Sequence, residues 1–174
     1  MSHQFRNLII DGYNLIHAIP SIARHVNSDL QRARELLLIK LSCYARLTQT
    51  HIIVIFDGQN LGPAHQSGQP GVTVVFTHGR KADQEIKDRV SRISSKKDWL
   101  IITSDFDIRY FVEGLMIKTR SSSEFAAELL ALENKEEKKA RPGISRPAEA
   151  RDKKKPTRED MAWAYEVFLK NNKK

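Results

Sequence analysis

Residues 8–14 read Leu8-Ile9-Ile10-Asp11-Gly12-Tyr13-Asn14. An apolar, Ile-rich run stops on an aspartate and a glycine, the pattern of a buried strand ending in a turn. The same ending recurs in Ile52-Ile53-Val54-Ile55-Phe56-Asp57-Gly58 and in Leu100-Ile101-Ile102-Thr103-Ser104-Asp105-Phe106-Asp107. A further acid, Asp83, follows Arg80-Lys81-Ala82 at the start of a predicted helix. In an open parallel α/β sheet, ligands bind at the carboxyl ends of the strands. Carboxylates from several strand ends can therefore meet, and held close they repel unless a cation lies between them. The pattern points to a divalent metal site and to phosphodiester chemistry.

Outward from these endings, the spacing predicts strands over 7–11, 51–56, 72–76, 99–103 and 115–118. Helices are expected over 29–47, with Ser28 as N-cap, and over 81–94 and 106–112. A further helix runs to Leu132 behind a Ser121/Glu124 capping box. Residues 12–28, which hold Pro20, and residues 58–71 read as loops. Strands that alternate with helices predict an α/β fold, its central sheet mostly parallel and covered on both faces. Residues 1–132 make one domain. Residues 133–156 have almost no large apolar side chain and carry three prolines, so they read as a basic disordered linker. Residues 157–174 recover a helical pattern through Met161, Tyr165 and Phe168.

A chain of 174 residues with 40% hydrophobic content can build one sizeable core. No apolar run is long enough to span a bilayer, and the first residues lack the apolar stretch of a signal peptide. The single cysteine, Cys43, cannot form an internal disulfide, so a cytoplasmic location is expected, with Cys43 a small buried residue. Net charge is +8, more than half of it in residues 133–174. A basic chain that also clusters carboxylates suits a polyanionic partner and no membrane. The six histidines show no metal-ligand spacing, and no Walker-type or dinucleotide glycine motif is present.

Each acid also has a plainer role available. Asp11 and Asp57 precede glycines and fit turn or cap chemistry. Asp83 suits a helix dipole, and Asp105 competes with Ser104 as an N-cap. Asp105 and Asp107, two residues apart in a loop, can both reach one hydrated ion. Magnesium keeps several waters and needs only one or two direct carboxylates. Asn14 can donate to a carboxylate or a phosphate, Arg80 and Lys81 can meet phosphate at a helix start, and Tyr13 reads as packing.

Ile10-Asp11-Gly12-Tyr13-Asn14 with Ile16, then Val54-Ile55-Phe56-Asp57-Gly58, then Phe76-Thr77 leading to Ala82-Asp83, then Thr103-Ser104-Asp105, resemble the YacP-like branch of the NYN domains, within the PIN-like nucleases. The resemblance covers residues 6 to about 132. It implies a three-layer α/β/α sandwich and a metal-dependent endoribonuclease. It places Asp11, Asp83 and Asp105 at the catalytic acidic centre with Asn14 beside them, and carries over Asp57 as a further metal ligand; Asp107, two residues after Asp105, is a further candidate ligand by its spacing. One or two Mg2+ or Mn2+ ions are the implied cofactor, and RNA, whether mRNA or ribosome-associated, the implied substrate. Asn14 and Ser104 would orient water or phosphate, and Arg80, Lys81 and the tail would hold the RNA backbone. Family members often carry Ala-Asp-Glu where this chain has Ala82-Asp83-Gln84, which leaves Glu85 or Asp107 to supply the missing charge. No aromatic-rich RNA-recognition signature is present, so binding should be salt-dependent with modest sequence choice. The alternatives are a PIN-like module that grips RNA or ribosomes without cutting, and an aspartyl phosphotransferase. The second lacks the usual acid two residues after the nucleophile, since position 13 is Tyr.

Overall fold

In a computed structural model, which describes residues 5–58, 69–79 and 81–140, the strands are β1 (Asn7–Asp11), β2 (His51–Gly58), β3 (Val72–His78), β4 (Trp99–Ile102) and β5 (Lys118–Arg120). They form one all-parallel sheet in the order β3-β2-β1-β4-β5. The helices are α1 (Gly12–Ala18), α2 (Pro20–Ala23), α3 (Leu30–Thr48), α4 (Ala82–Ser91), α5 (Phe106–Gly114) and α6 (Ser122–Ala140).

β1 is the central strand, with Asn7 in register with both His51 and Trp99. Its residues are apolar without interruption because both faces are covered. Leu8 and Ile10 join a core with side chains of α1, α2, α3 and α6, such as Leu15, Ile22, Leu37 and Phe125. Ile9 faces the other way, among Ile86 and Val90 of α4 and Ile108 and Val112 of α5. Removing a side chain such as Ile10, which is fully buried, would cost about 2–5 kcal/mol. Strand alternation then puts Asp11 on the Ile9 side, facing α4 and α5, and Asp57 on that side of β2.

The chain steps from β1 to β2 to β3 on one side, then returns through α4 to β4 on the other side of β1. The order reverses between β1 and β4, and a crevice at their carboxyl ends is where such sheets bind ligands. The ends of these two strands are Asp11 and the Thr103-Ser104-Asp105 turn.

Several local expectations change. Residues 12–28 hold two helices: Asp11 caps α1, and Leu15, Ile16, Ile19 and Ile22 are all buried. Pro20 opens α2 in the first turn, where its missing N–H costs nothing. Asp29, not Ser28, caps α3, accepting from the Arg32 N–H at 2.8 Å. β2 and β3 run two residues further than expected. β5 begins later, at Lys118, after Met116 turns the chain with φ of 59°. The Ser121/Glu124 box forms as expected, Glu124 N–H to Ser121 Oγ at 3.2 Å and Ser121 N–H to Glu124 Oε2 at 3.0 Å. α6 then continues past Leu132 to Ala140, into the stretch expected to be linker. Glu, Lys and Ala are good helix formers, and the first breaker is Pro142. Glu133 is also tied to Lys40 of α3 at 2.5 Å. The rest of the expected linker, the expected helix over 157–174 and Arg80 lie outside the described residues. Among the described residues, no helix is long and apolar enough to cross a membrane.

Candidate active site

Asp11 is 8% exposed at the end of β1. Its Oδ1 accepts from the Asn14 N–H at 3.2 Å, which caps α1, and its Oδ2 accepts from the Thr103 hydroxyl at 3.4 Å. Thr103 is fully buried, and its Oγ1 accepts from the Asp105 N–H at 3.1 Å. That N–H can only donate, so the Thr103 proton is directed to Asp11. Asp105 caps α5, its Oδ1 accepting from the Ile108 N–H at 3.0 Å. The capping roles read from sequence are thus real for both acids, but in Asp105 capping occupies only one oxygen. Asp83 lies in the first turn of α4, whose N-cap, Lys81, gives no side-chain bond.

Burial pushes the Asp11 carboxyl above its ordinary pKa of 3.8, the Asn14 N–H pulls it back, and the charges of Asp83 and Asp105 push it up again. Asp83 and Asp105 thus lie near enough to Asp11 for their charges to act on its carboxyl. No salt bridge neutralises any of the three among the described residues.

Asn14 is held by three elements. Its Oδ1 accepts from the Ser104 N–H and from the Ser122 hydroxyl, both at 3.1 Å. Ser104 Oγ in turn accepts from the Ser122 N–H at 3.1 Å. The amide oxygen is occupied by two donors, one of them a backbone N–H, so the amide nitrogen is free to donate elsewhere. Ser122, fully buried at the start of α6, escaped the sequence reading. Three consecutive serines at 121–123 give no signal to single it out.

The other candidates are placed as follows. Asp57 is exposed, with Oδ1 accepting weakly from Thr77 Oγ1 at 3.5 Å. Asp107 is exposed in the first turn of α5. Glu85 is ion-paired with Arg89 at 2.6 Å, and Gln84 donates to Asp88 at 2.9 Å, so neither α4 residue adds a free charge. Lys81 is exposed and, with Asp83, Gln84 and Lys87, lines a shallow depression beside the acidic group.

Among the described residues, no three His, Cys, Asp or Glu side chains are gathered as a set that could hold a metal ion. The donor chemistry still fits a hard divalent cation. The donors are all carboxylate oxygens, their mutual repulsion is uncompensated, and such an ion keeps most of its own waters.

On the opposite face of the sheet the local chemistry differs. A Cβ on Gly12 would stand 2.3 Å from the Phe56 ring, so only glycine lets that ring pack under α1. Phe56 stacks on Phe76 and meets Tyr13 edge-on. Arg34, 8% exposed, lies 5.5, 5.9 and 5.6 Å from the Tyr13, Phe56 and Phe76 ring centroids, and its Nε donates to the Tyr13 hydroxyl at 3.0 Å. Tyr13 is a packing residue, as expected.

The family model of the YacP-like NYN domain matches residues 8–166. The match extends beyond the residues that carried the sequence resemblance and takes in most of the basic extension. The chain is 26% identical over 137 residues to a Bacillus subtilis (strain 168) protein described as uncharacterized protein YacP, covering 77% of this chain and 81% of that one. It is also similar to the crystal structure of Rae1 (YacP) from Bacillus subtilis, with TM-score 0.66 and 25% identity over 95% of this chain and 92% of that one. A crystal structure of a mutant of the same Bacillus subtilis protein gives TM-score 0.64 and 25% identity over 76% and 80% of the two chains.

Proposed function

Because the chain belongs to the YacP-like NYN domain family, whose fold is of the PIN-like nuclease type, we propose that it is a metal-dependent endoribonuclease acting at Asp11, Asp83 and Asp105. One observation carries this reading: the buried Asp11 carboxylate feels the charges of Asp83 and Asp105, and no salt bridge offsets them among the described residues. Buried charge is costly unless compensated, and a bound cation is the compensation this reading supplies.

Asp11, Asp83 and Asp105 would hold Mg2+ or Mn2+ through carboxylate oxygens and the ion's waters. The bound ion supplies a water of lowered pKa and stabilises charge on the scissile phosphate. Thr103 fixes the rotamer of Asp11 and the backbone of Asp105 together. Asn14, its oxygen engaged, offers its amide hydrogens to a phosphate oxygen or a water. Lys81 and the basic residues of the extension hold the RNA backbone by charge, which makes affinity salt-dependent. Hydrolysis adds the water oxygen to phosphorus and expels the 3′ oxygen, so the products carry a 5′-phosphate and a 3′-hydroxyl.

The test is incubation of the full chain with single-stranded RNA in Mn2+ and in EDTA, with end-group analysis of the products. Mn2+-dependent fragments with 5′-phosphates support the reading. Cyclic phosphates, or cleavage indifferent to EDTA, reject it. A second reading, an RNA-binding module that does not cut, is favoured by Gln84 and by the engagement of Glu85 with Arg89, which leave the acidic group one charge short of the family pattern. Binding without fragments in Mn2+ selects it.

A further inference from the structure

Two aromatic side chains of α5 face solvent. Phe106 is 77% exposed and Tyr110 75% exposed. They are four residues apart, on the helix face opposite the buried Ile108 and Val112. Their ring centroids are 6.3 Å apart and their planes within 20° of parallel. A lone exposed aromatic is ordinary, but an exposed, mutually stacked pair is an apolar surface that folding leaves unused.

Its position is specific. Phe106 directly follows Asp105, whose side chain caps this helix. Phe111, the next residue after Tyr110, lies 5.8 Å from Lys87 Nζ. Lys87 and Lys81 line the depression that contains Asp83. α5 thus carries the exposed ring pair directly after Asp105, and through Phe111 it meets Lys87, which lines the depression with Asp83.

We propose that Phe106 and Tyr110 are a stacking platform for the bases of single-stranded RNA that leaves the acidic centre along α5, with Lys81 and Lys87 meeting its phosphates. Rings beside cations are the combination that holds single strands, because every base has a π face and every nucleotide a phosphate. A 6.3 Å separation is too narrow for a base to insert between the rings, so bases stack on their outer faces. The platform was not visible in the sequence as an aromatic-rich signature, because it consists of two residues one helical turn apart. The proposal rests on the nuclease reading for its substrate and adds to it a preference for unpaired strands.

The test is fluorescence anisotropy of the full chain, in EDTA so that nothing is cut, with a labelled oligoadenylate of roughly ten nucleotides. The variants are Phe106→Ala with Tyr110→Ala, Phe106→Leu with Tyr110→Leu, and Tyr110→Phe. A second strand of equal length carries abasic sites in place of the bases. Both residues are exposed, so the variants should fold, and melting curves check this. Loss of both rings should weaken binding roughly tenfold or more. Leucines should fail to restore it, and Tyr110→Phe should bind as the native chain does. The abasic strand should bind the native chain and the alanine variant equally weakly. Equal loss on both strands, or full binding by the leucine variant, overturns the proposal. Leucine rescue would show that the patch supplies apolar area and no base stacking. Cleavage in Mn2+ is scored separately, so base-dependent binding without cleavage retires the nuclease reading and leaves the platform standing.

Discussion

At the carboxyl end of the sheet, one face buries a cation and the other an anion. Arg34 has no carboxylate partner among the described residues, yet three rings and the Tyr13 hydroxyl surround it. Asp11 has two hydrogen bonds and, for neighbours, more negative charge. Two partly buried acids of α6 are matched: Glu128 is bound by Arg120 and by the Tyr44 hydroxyl, and Glu133 by Lys40. The difference teaches where the fold completes itself and where it stays open. Arg34 is compensated within the chain and serves the scaffold. The acidic group has no such compensation among the described residues.

The largest effect should come from opening the acidic group further. Asp83→Asn should reduce RNA cleavage by on the order of 10²-fold or more in Mn2+, since one of the three carboxylates that would hold the ion is lost. Its melting temperature should hold or rise, because a repulsion has been removed. Retention of full cleavage by a folded Asp83→Asn protein would take Asp83 out of the site.

Next in size is Ser122→Ala, which removes one of the two donors holding the Asn14 amide. A supporting hydrogen bond of this kind is worth about 10- to 100-fold in activity. Ser122→Thr should restore part of the loss by keeping the hydroxyl. Equal activity of the alanine and native proteins would show that Ser104 holds Asn14 alone.

On the scaffold face, Arg34→Met should lower stability by about 2 kcal/mol, from lost ring contacts and an orphaned tyrosine hydroxyl. Cleavage per folded molecule should stay near native. Urea denaturation with a parallel activity assay separates the two effects. A collapse of activity with unchanged stability would move Arg34 from scaffold to site.

The smallest effect is a pH dependence. The pKa of Asp11 is raised in the folded protein, so its contribution favours folding at acid pH and is lost as pH rises through the raised value. Asp11→Asn removes that loss. It should therefore melt above the native protein at neutral pH, and the gap should close toward and below pH 3.8, the ordinary value. A gap that widens in acid would reverse the sign and contradict the burial argument.

Much of this arrangement was legible as strand endings. Asp11, Asp83 and Asp105 each follow an apolar run or open a helix, and parallel topology puts such positions on the carboxyl side of the sheet. The residues that join them were not legible. Thr103 and Ser122 act through contacts between segments far apart in the chain, which no local pattern encodes. Gly12 and Pro20 made residues 12–28 resemble a loop, although both are tolerated at helix starts. The end of the domain was placed at Leu132 because apolar spacing stops there, whereas the helix persists on backbone propensity and the Lys40 contact. Phe106 and Tyr110 were in view as part of a short helix, but only the fold reveals that they face outward.

The central claim is that the acidic group awaits a cation, and thermal melting across a Mn2+ titration tests it most directly. A ligand that binds only the folded state raises the melting temperature in proportion to the logarithm of its concentration once sites fill. The native chain should show that rise, and Asp11→Asn and Asp83→Asn should show little or none. An identical response in all three proteins, or no response in the native chain, would contradict the account.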